Sequence, residues 1–347
     1  MNREFTNVNG LSEARLDLLA KVAVLYYEDD MDQMEIAKRI GKSRSMVSKM
    51  LLEVRKLKMV EFRVDFPLRR DEELERRLCF KYGLEQAWVL NTTASQNDES
   101  LTRMVGKLGA RCLQSRLFDG ICVGISAGST VLEVVRAMPR IDFQESTVVQ
   151  LIGAISDGSN PVDSAQLVKA LALKMSASCR SIPAPLMVNS RAAAKSLLNQ
   201  KTIKDTLEFA ETVDVALIGI GDVDSNSSNH VTRDYIGQSD LAKLKRRGAV
   251  GEVVAHFLDI HGEPIELGTF QAIGINLKEL HSIPSVIGVA AGVGKAKAVV
   301  SALKGGYINV LITDAYTAAQ VVKIGDELDT ASYMVGNERG EGEEIDE

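Results

Sequence analysis

Beyond Trp88 the chain alternates between short apolar runs and segments of helical periodicity, and no other feature constrains the fold as strongly. Strands of a parallel sheet are covered by helices on both faces, so they are apolar throughout rather than at every second residue. Runs of this kind are ICVGI, TVVQLIG, VDVALIGIG, SVIGVA and INVLITD. Helical spacing marks the stretches between them, including STVLEVVRAM, DSAQLVKALALKMSA and KAKAVVSALKGG. The sequence therefore predicts a Rossmann-like, mostly parallel α/β domain.

The first 66 residues have a different pattern, typical of three short helices. Apolar residues at helical spacing run from Leu11 to Tyr27. Asp32, followed by Glu35 three residues later, predicts the capped start of a second helix, which Gly41 ends. Ser43 can cap a third helix. The apolar face of that helix is Met46, Val47, Met50, Leu51 and Val54. The alternating stretch MVEFRVDF predicts a small β wing, so a winged helix-turn-helix is expected.

Positive charge is concentrated in this part of an otherwise acidic chain. From Ile36 to Lys58 there are eight cations and one acid, Glu53, which gives +7, while the formal net charge of the chain is -6. The second helix of a helix-turn-helix enters the major groove, where Arg and Lys reach base edges and serines hold phosphates. Expected contacts to double-stranded DNA are Arg44, Ser45, Ser48 and Lys49 at or near the bases. Lys42 and Ser43 are expected at the backbone. The alternative is a solvated, lysine-rich helix face.

The predicted domain order is a winged helix-turn-helix over residues 1–66, a linker helix over 67–84, an effector domain over 85–336 and an acidic, disordered tail over 337–347. The linker, LRRDEELERRLCFKYGL, has Leu74 and Leu78 as its apolar stripe. It either packs on its own domain or joins two chains. The stretch from Leu68 to Tyr82 is also expected to transmit a signal between the two domains.

Composition excludes several classes of protein. Hydrophobic residues make up 45% and charged residues 25%, which is typical of a globular chain with a large core. No apolar run approaches the roughly 20 residues of a membrane helix, and the N-terminal residues lack the layout of a signal peptide. The four cysteines form no CxxC pair and the four histidines have no metal-ligand spacing. We therefore expect a cytoplasmic protein with no membrane segment, metal site or cofactor.

Four loops that follow predicted strands contain the candidate binding residues. They are VGISAGSTVLEVV, GIGDVDSNSSN, GAVGEVVAHFLDIHG with Glu252, and VAAGVGKAKAVV with Lys295. In open α/β sheets ligands bind beyond the carboxyl ends of the strands, where these loops are expected. The first loop opens a helix with Ser129 and Thr130, an arrangement that suits an anion or a sugar hydroxyl. A tight turn with a structural role is the alternative for that loop.

Taken together, the two halves resemble the SorC family of sugar-binding transcriptional regulators from Leu11 to about Val322. The motifs that carry the resemblance are EIAKRIGKSRSMVSKMLLEVRKLKMV, GISAGST, IPAPLMV, VALIGIGD, GAVGEVVAHFLDIHGEPI and VIGVAAGVGKAKAVVSALKGGYINVLITDAYTA. The resemblance implies operator DNA as a partner and self-association into a homotetramer or a dimer of dimers. It also implies an effector domain similar to the glucosamine-phosphate and ribose-phosphate isomerase fold, which senses a sugar or sugar phosphate.

Site residues follow from the same resemblance, motif by motif. The implied effector contacts are Gly128, Ser129, Thr130, Asp163, Glu252 and Lys295. The first three look like a cradle for a phosphate or hydroxyl group, Glu252 like a hydroxyl acceptor and Lys295 like a cation near the anionic or polar end of the ligand. Members that bind a bisphosphate have an arginine where this chain has Ile152, and basic residues soon after GIGD that this chain lacks. A second phosphate is therefore not expected, and a neutral sugar or polyol is an alternative to a sugar phosphate.

The predicted function is a sugar- or sugar-phosphate-responsive regulator, a repressor, of a carbohydrate or polyol utilisation operon, without enzymatic activity. Effector binding is expected to rearrange the oligomer and so change the fit to operator DNA. The first alternative is a sugar-phosphate isomerase with an appended DNA-binding domain, using Asp222, Asp224 or Glu252 as its base. The second is a module that only oligomerises.

Overall fold

The computed structural model describes residues 12–57, 59–60, 68–92, 98–155, 160–223, 236–266, 268 and 270–340. For residues 98 and 332–340 it describes the backbone alone. The chain divides into two compact units, Met1–Pro67 and Leu68–Glu347.

The first unit consists of three helices, α1 (Glu13–Tyr27), α2 (Gln33–Ile40) and α3 (Arg44–Lys56). The predicted capping box at the start of α2 is confirmed, since the Asp32 carboxylate accepts hydrogen bonds from the amides of Met34 and Glu35. Gly41 has φ 65°, a left-handed conformation that glycine adopts without strain, and it ends α2 as expected. The Ser43 hydroxyl accepts the Met46 amide at 3.2 Å and caps α3.

The core of this unit is formed by one face of each helix. Its fully buried side chains include Leu19, Val22, Ile36, Val47, Met50 and Val54. Met46, predicted on the apolar face of α3, is instead 42% exposed because it lies one position outside the buried stripe. The helix-turn-helix is thus confirmed. The wing, predicted over residues 59–66, lies outside the described residues except for Met59 and Val60.

The second unit is built on a seven-stranded sheet in the order β1-β13-β12-β6-β2-β3-β4, in which every pair is parallel. Its strands are β1 (Gln86–Leu90), β2 (Cys122–Ile125), β3 (Thr147–Gln150), β4 (Ser178–Arg180), β6 (Val215–Gly219), β12 (Ser285–Val289) and β13 (Val310–Asp314). Successive residues of β6 enter opposite cores: Val215 and Leu217 pack in one cluster, Ala216 and Ile218 in the other. Burial of both faces explains the continuous apolar runs, and the predicted fold is confirmed.

Helices cover the two faces of this sheet. They are α4 (Glu72–Tyr82), α5 (Asp98–Gln114), α6 (Ser129–Ala137), α7 (Ser164–Met175), α8 (Arg191–Leu198), α9 (Lys201–Ala210), α10 (Gln238–Arg246), α11 (Leu277–Ser282), α12 (Ala296–Lys304) and α13 (Ala315–Gly340), with a 3₁₀ turn at Val293–Lys295. None of the described helices combines the length and the apolarity needed to cross a membrane.

Two small sheets complete this unit. An antiparallel sheet in the order β10-β9-β8-β7 contains β7 (Gly221–Asp222), β8 (Gly251–Val253), β9 (His256–Leu258) and β10 (Pro264–Ile265). The other consists of β5 (Met187–Val188) and β11 (Gln271–Ala272). In the first, Gly221 pairs with Glu252, so the polar ends of two loops come together.

Two boundaries differ from the sequence predictions. Helix α4 begins at Glu72 rather than at Leu68, because the residues before it pair with β1; Arg70 bridges to Leu90. The structure shows this helix packed on its own unit, with Leu78 fully buried. Helix α13 continues to Gly340, so residues 337–340 are helical and not a disordered tail. Residues 341–347 lie outside the described part of the chain.

Candidate functional site

A half-open cleft lies at the carboxyl edge of the parallel sheet, where strand-end loops meet as expected. All four predicted stretches contribute to its lining, the fourth only through its first residue, Val289. The lining residues are Ser126, Ala127, Gly128, Ser129, Thr130, Ile152, Gly219, Ile220, Gly221, Asp222, Glu252, Val254, Ala255 and Val289. Four of the predicted effector residues, Gly128, Ser129, Thr130 and Glu252, are therefore brought together.

The glycine loop between β2 and α6 forms one wall of the cleft. Gly128 has φ 137° and ψ 157°, a region that is essentially restricted to glycine. This conformation turns the chain so that α6 starts at Ser129, with its first amides at the cleft. The Ser126 hydroxyl accepts the Gly219 amide at 3.2 Å and joins this loop to the end of β6. A Cβ at Gly219 would lie 2.9 Å from the Ala127 carbonyl oxygen, so the close approach of the two loops requires glycine there.

Asp222 and Glu252 form a second wall of the cleft, and Lys295, which does not itself line the cleft, contacts Asp222. Asp222 ends β7, Glu252 lies in the paired strand β8, and Lys295 follows β12. The Lys295 Nζ lies 2.8 Å from an Asp222 carboxylate oxygen, with the two side chains 10% and 6% exposed. Glu252 is only 8% exposed.

The contact of Lys295 with Asp222 is an ion pair without the directionality of a good hydrogen bond. The Nζ atom is buried, and within the described part of the chain it meets no acceptor at hydrogen-bonding angles. An ammonium group has three N–H donors, and each buried donor is costly to leave unused. The Lys295 ammonium group thus has donors available beside Asp222, which lines the cleft.

Asp163 lies apart from this arrangement. Its carboxylate is fully buried and accepts the Ala165 amide at 2.9 Å and the Ile155 amide at 3.0 Å, which caps α7 and fixes the chain after β3. It does not line the cleft. Its neighbour Val162 accepts the Gly128 amide at 3.3 Å, so the structure places Asp163 behind the glycine loop rather than on its open side.

The turn between β8 and β9 forms the floor of the cleft. Val254 and Ala255 have φ values of 42° and 64°, an uncommon conformation for residues with side chains and a strained one for a β-branched residue. His256 Nδ1 lies 2.9 Å from the Val254 carbonyl oxygen, which ties the turn to the start of β9. Burial lowers the pKa of His256, which keeps the ring neutral and fits an N–H donor to that carbonyl.

From the sequence, Asp222 was a candidate only as the base of the alternative isomerase, and Ser126 was not a candidate for any role. The signal for Asp222 was present, because it ends the run VALIGIGD, but its pairing with Lys295 depends on a long-range contact. Asp224 lies outside the described residues. Among the residues that the structure describes, no group of three or more acidic, histidine or cysteine side chains could hold a metal ion.

In the first unit, the six residues predicted to contact DNA lie on the same side of α3 and the turn before it. Ser48 is half-buried, and the others, Lys42, Ser43, Arg44, Ser45 and Lys49, are exposed. The one acid of this region, Glu53, forms an ion pair with Arg15 of α1 at 2.5 Å. Glu53 is thereby neutralised by the adjacent helix, and the exposed start of α3 keeps its positive charge.

Comparison with known proteins gives the family of the chain. Residues 67–323 match the family described as "Putative sugar-binding domain". The transcriptional regulator LsrR of Escherichia coli is 32% identical over 310 residues, which is 88% of this chain and 94% of that protein. LsrR of Klebsiella pneumoniae is 30% identical over 319 residues, 91% of this chain and 95% of that protein.

Solved structures agree with this result. The full-length sorbitol operon regulator SorC from Klebsiella pneumoniae has a TM-score of 0.66 at 26% identity, covering 90% of this chain and all of that one. A DeoR family transcriptional regulator from Listeria monocytogenes has a TM-score of 0.66 at 29% identity, covering 72% of this chain and 98% of that one. The chain therefore belongs to the SorC family of sugar-binding transcriptional regulators.

Proposed function

We propose that the chain is a repressor of a carbohydrate or polyol utilisation operon, with its effector bound in the cleft and operator DNA bound by α3. The observation that carries this proposal is the cleft itself, which is lined by a glycine loop at the start of α6 and by Asp222 and Glu252, with Lys295 paired to Asp222. Working on chromosomal DNA, such a protein acts in the cytoplasm.

The chemistry of the cleft supports a ligand rich in hydroxyl groups. Carboxylates accept hydrogen bonds from hydroxyls, and Asp222 and Glu252 supply such acceptors. The amides and hydroxyls at the start of α6 suit one anionic group. Lys295 is already paired with Asp222, and the neighbouring wall position is Ile152 rather than a cation. This balance favours a sugar or polyol with at most one phosphate group.

The proposed mode of DNA binding uses more than one copy of the chain. Helix-turn-helix proteins read two half-sites as dimers, because one recognition helix covers only a few base pairs. We propose a homotetramer, or a dimer of dimers, in which the effector favours one arrangement over another. A coupling of about 1–3 kcal/mol changes operator affinity about 5- to 150-fold.

The experiment is a fluorescence anisotropy titration with duplex DNA from upstream of the chain's own transcription unit, at fixed salt. A panel of sugars, polyols and sugar phosphates is then added. Release of tightly bound DNA by one compound, and loss of that release in Glu252→Gln, is the expected result. Tight binding that no compound alters would contradict the sensing role, and absence of specific binding would contradict the assignment of α3.

The same panel tests the enzymatic alternative. Aldose and ketose phosphates are incubated with the protein, and interconversion is followed over many turnovers. No sustained turnover is expected. Turnover that disappears in Glu252→Gln would replace the sensor by an isomerase, because a general base would then be at work in the cleft.

A further inference from the structure

The first residues of the second unit form an additional strand segment on the free edge of β1. The Asp71 amide donates to the Val89 carbonyl at 2.9 Å, and the Asn91 amide donates to the Arg69 carbonyl at 2.8 Å. The segment is antiparallel to β1, so lower residue numbers lie nearer the carboxyl end of that strand. The chain therefore enters this unit at the same sheet edge as the cleft. We call residues 69–71 the entry strap.

An ion pair between the exposed Arg70 and the buried Glu75 fastens the entry strap. Arg70 binds Glu75 with two hydrogen bonds, each 2.7 Å long, and its guanidinium group stacks on the Trp88 ring with 4.1 Å from Cζ to the ring centroid. Glu75 is 7% exposed and also accepts the Val89 amide at 2.8 Å. Paired, planar contacts of this kind are specific to arginine and fix its orientation. The strap, α4 and β1 are thus held as one piece.

A second set of contacts connects the cleft to the same strand. Lys295 lies in the 3₁₀ turn that begins directly after Gly292. The Gly292 amide donates to the Asp314 carboxylate at 2.8 Å, and the amide and hydroxyl of Thr317 bind the same group. Asp314 is fully buried at the end of β13, in register with Leu90 of β1. Leu90 in turn bridges to Arg70.

We propose that these contacts couple the cleft to the entry strap, so that a change at Lys295 alters how firmly the strap is held and, through it, operator binding. This inference rests on the proposed function and adds its regulation. The lateral distance is short, since β12 and β1 are two strand spacings apart, about 10 Å. A ligand hydroxyl that binds Asp222 in the cleft competes with the Lys295 contact and shifts the turn after Gly292, and Asp314 passes that shift to the strand carrying the strap.

Hydrogen exchange on the full-length chain tests the path without any ligand. In Asp314→Asn, and in Lys295→Met, the amides of Asp71 and Asn91 are expected to exchange at least fivefold faster than in the original protein, because the strand end that holds them loosens. If Lys295→Met fails to fold, Lys295→Met combined with Asp222→Asn replaces it. Faster exchange confined to residues 290–296 would overturn the path.

Operator binding tests the consequence, and two glutamates of α4 provide a matched pair. Glu75 is buried against Arg70, whereas Glu73 forms an exposed pair with Arg76. Lys295→Met is expected to change the Kd for the upstream duplex at least fivefold. Glu75→Gln should abolish that change, and Glu73→Gln should leave it intact.

The outcomes separate the two proposals. If Lys295→Met changes the Kd equally in the Glu75→Gln and Glu73→Gln backgrounds, that result overturns the coupling and leaves the proposed DNA binding intact. Absence of specific DNA binding by the original protein would overturn the proposed function, and the exchange rates at Asp71 and Asn91 would still decide whether the path exists.

Discussion

Replacement of Lys295 by methionine tests the charged wall of the cleft. Methionine keeps much of the side-chain volume but removes the ammonium group, which leaves Asp222 as a carboxylate that is 6% exposed. Breaking a buried ion pair by removing one partner costs up to about 3–5 kcal/mol, because the remaining buried charge loses the attraction that offset its desolvation. Removing both charges avoids this cost, so Lys295→Met combined with Asp222→Asn should recover most of the lost stability.

The chain offers a matched control at its surface. Lys243 and Asp240 have the same 2.8 Å separation, but their side chains are 58% and 24% exposed. Water and salt screen such a pair, so Lys243→Met should cost about 0–1 kcal/mol. The assay is urea unfolding followed by the emission of Trp88, the one tryptophan of the chain, which lies in β1 of the same unit.

The comparison has a clear refuting result. If Lys295→Met lowers the free energy of unfolding by no more than Lys243→Met, the buried pair contributes no more to stability than an exposed pair, and the importance given to it here is wrong. If the double variant is no more stable than Lys295→Met alone, the loss comes from packing of the lysine stem rather than from Asp222.

Three further predictions concern other residues. Gly128→Ala should lower the free energy of unfolding by about 1–3 kcal/mol through backbone strain and should weaken the response to the effector. Gly294 has an ordinary φ and open space around it, so Gly294→Ala should change neither property. Thermal unfolding measures the stability, and anisotropy measures the effector response. Arg44→Gln should relax the preference for the cognate duplex by about 1–3 kcal/mol, while Lys42→Gln should weaken all duplexes alike and reduce the salt slope by about 1. Because the pKa of His256 is lowered in the folded protein, the unfolded chain takes up the proton at a higher pH than the folded one. The free energy of unfolding should therefore fall as the pH drops below 6.5, and it should fall less in His256→Asn. Urea unfolding at several pH values measures this difference.

Local signals predicted much of the fold from the sequence. The cap at Asp32, the break at Gly41 and the cap at Ser43 depend on residues within three positions of one another, so a linear reading finds them. The parallel strands were predictable because burial on both faces leaves continuous apolar runs. The grouping of Asp222, Glu252 and Lys295 was harder to predict, since strand pairing and a buried ion pair join residues far apart in the chain.

The sequence misled most where one residue type can serve two roles. Asp163 was expected at the ligand from the resemblance to the family, yet an aspartate before a helix is also a good N-cap, and its carboxylate accepts hydrogen bonds from two amides. The segment before Glu72 was predicted to be helical because of its charge pattern. Pairing of Arg70 with Leu90 and of its side chain with Glu75 overrides that local preference, and no local pattern shows such a contact.

The entry strap also affects how the large sheet can meet other chains. An open edge strand is a template for strand addition, which leads to domain swapping or open-ended polymers. The strap occupies the carboxyl end of β1, and the opposite edge strand, β4, is only three residues long, with Arg180 turned over the Phe209 ring. Neither edge offers a long row of free amides and carbonyls. The edges of the large sheet are therefore poorly suited to strand addition by another chain.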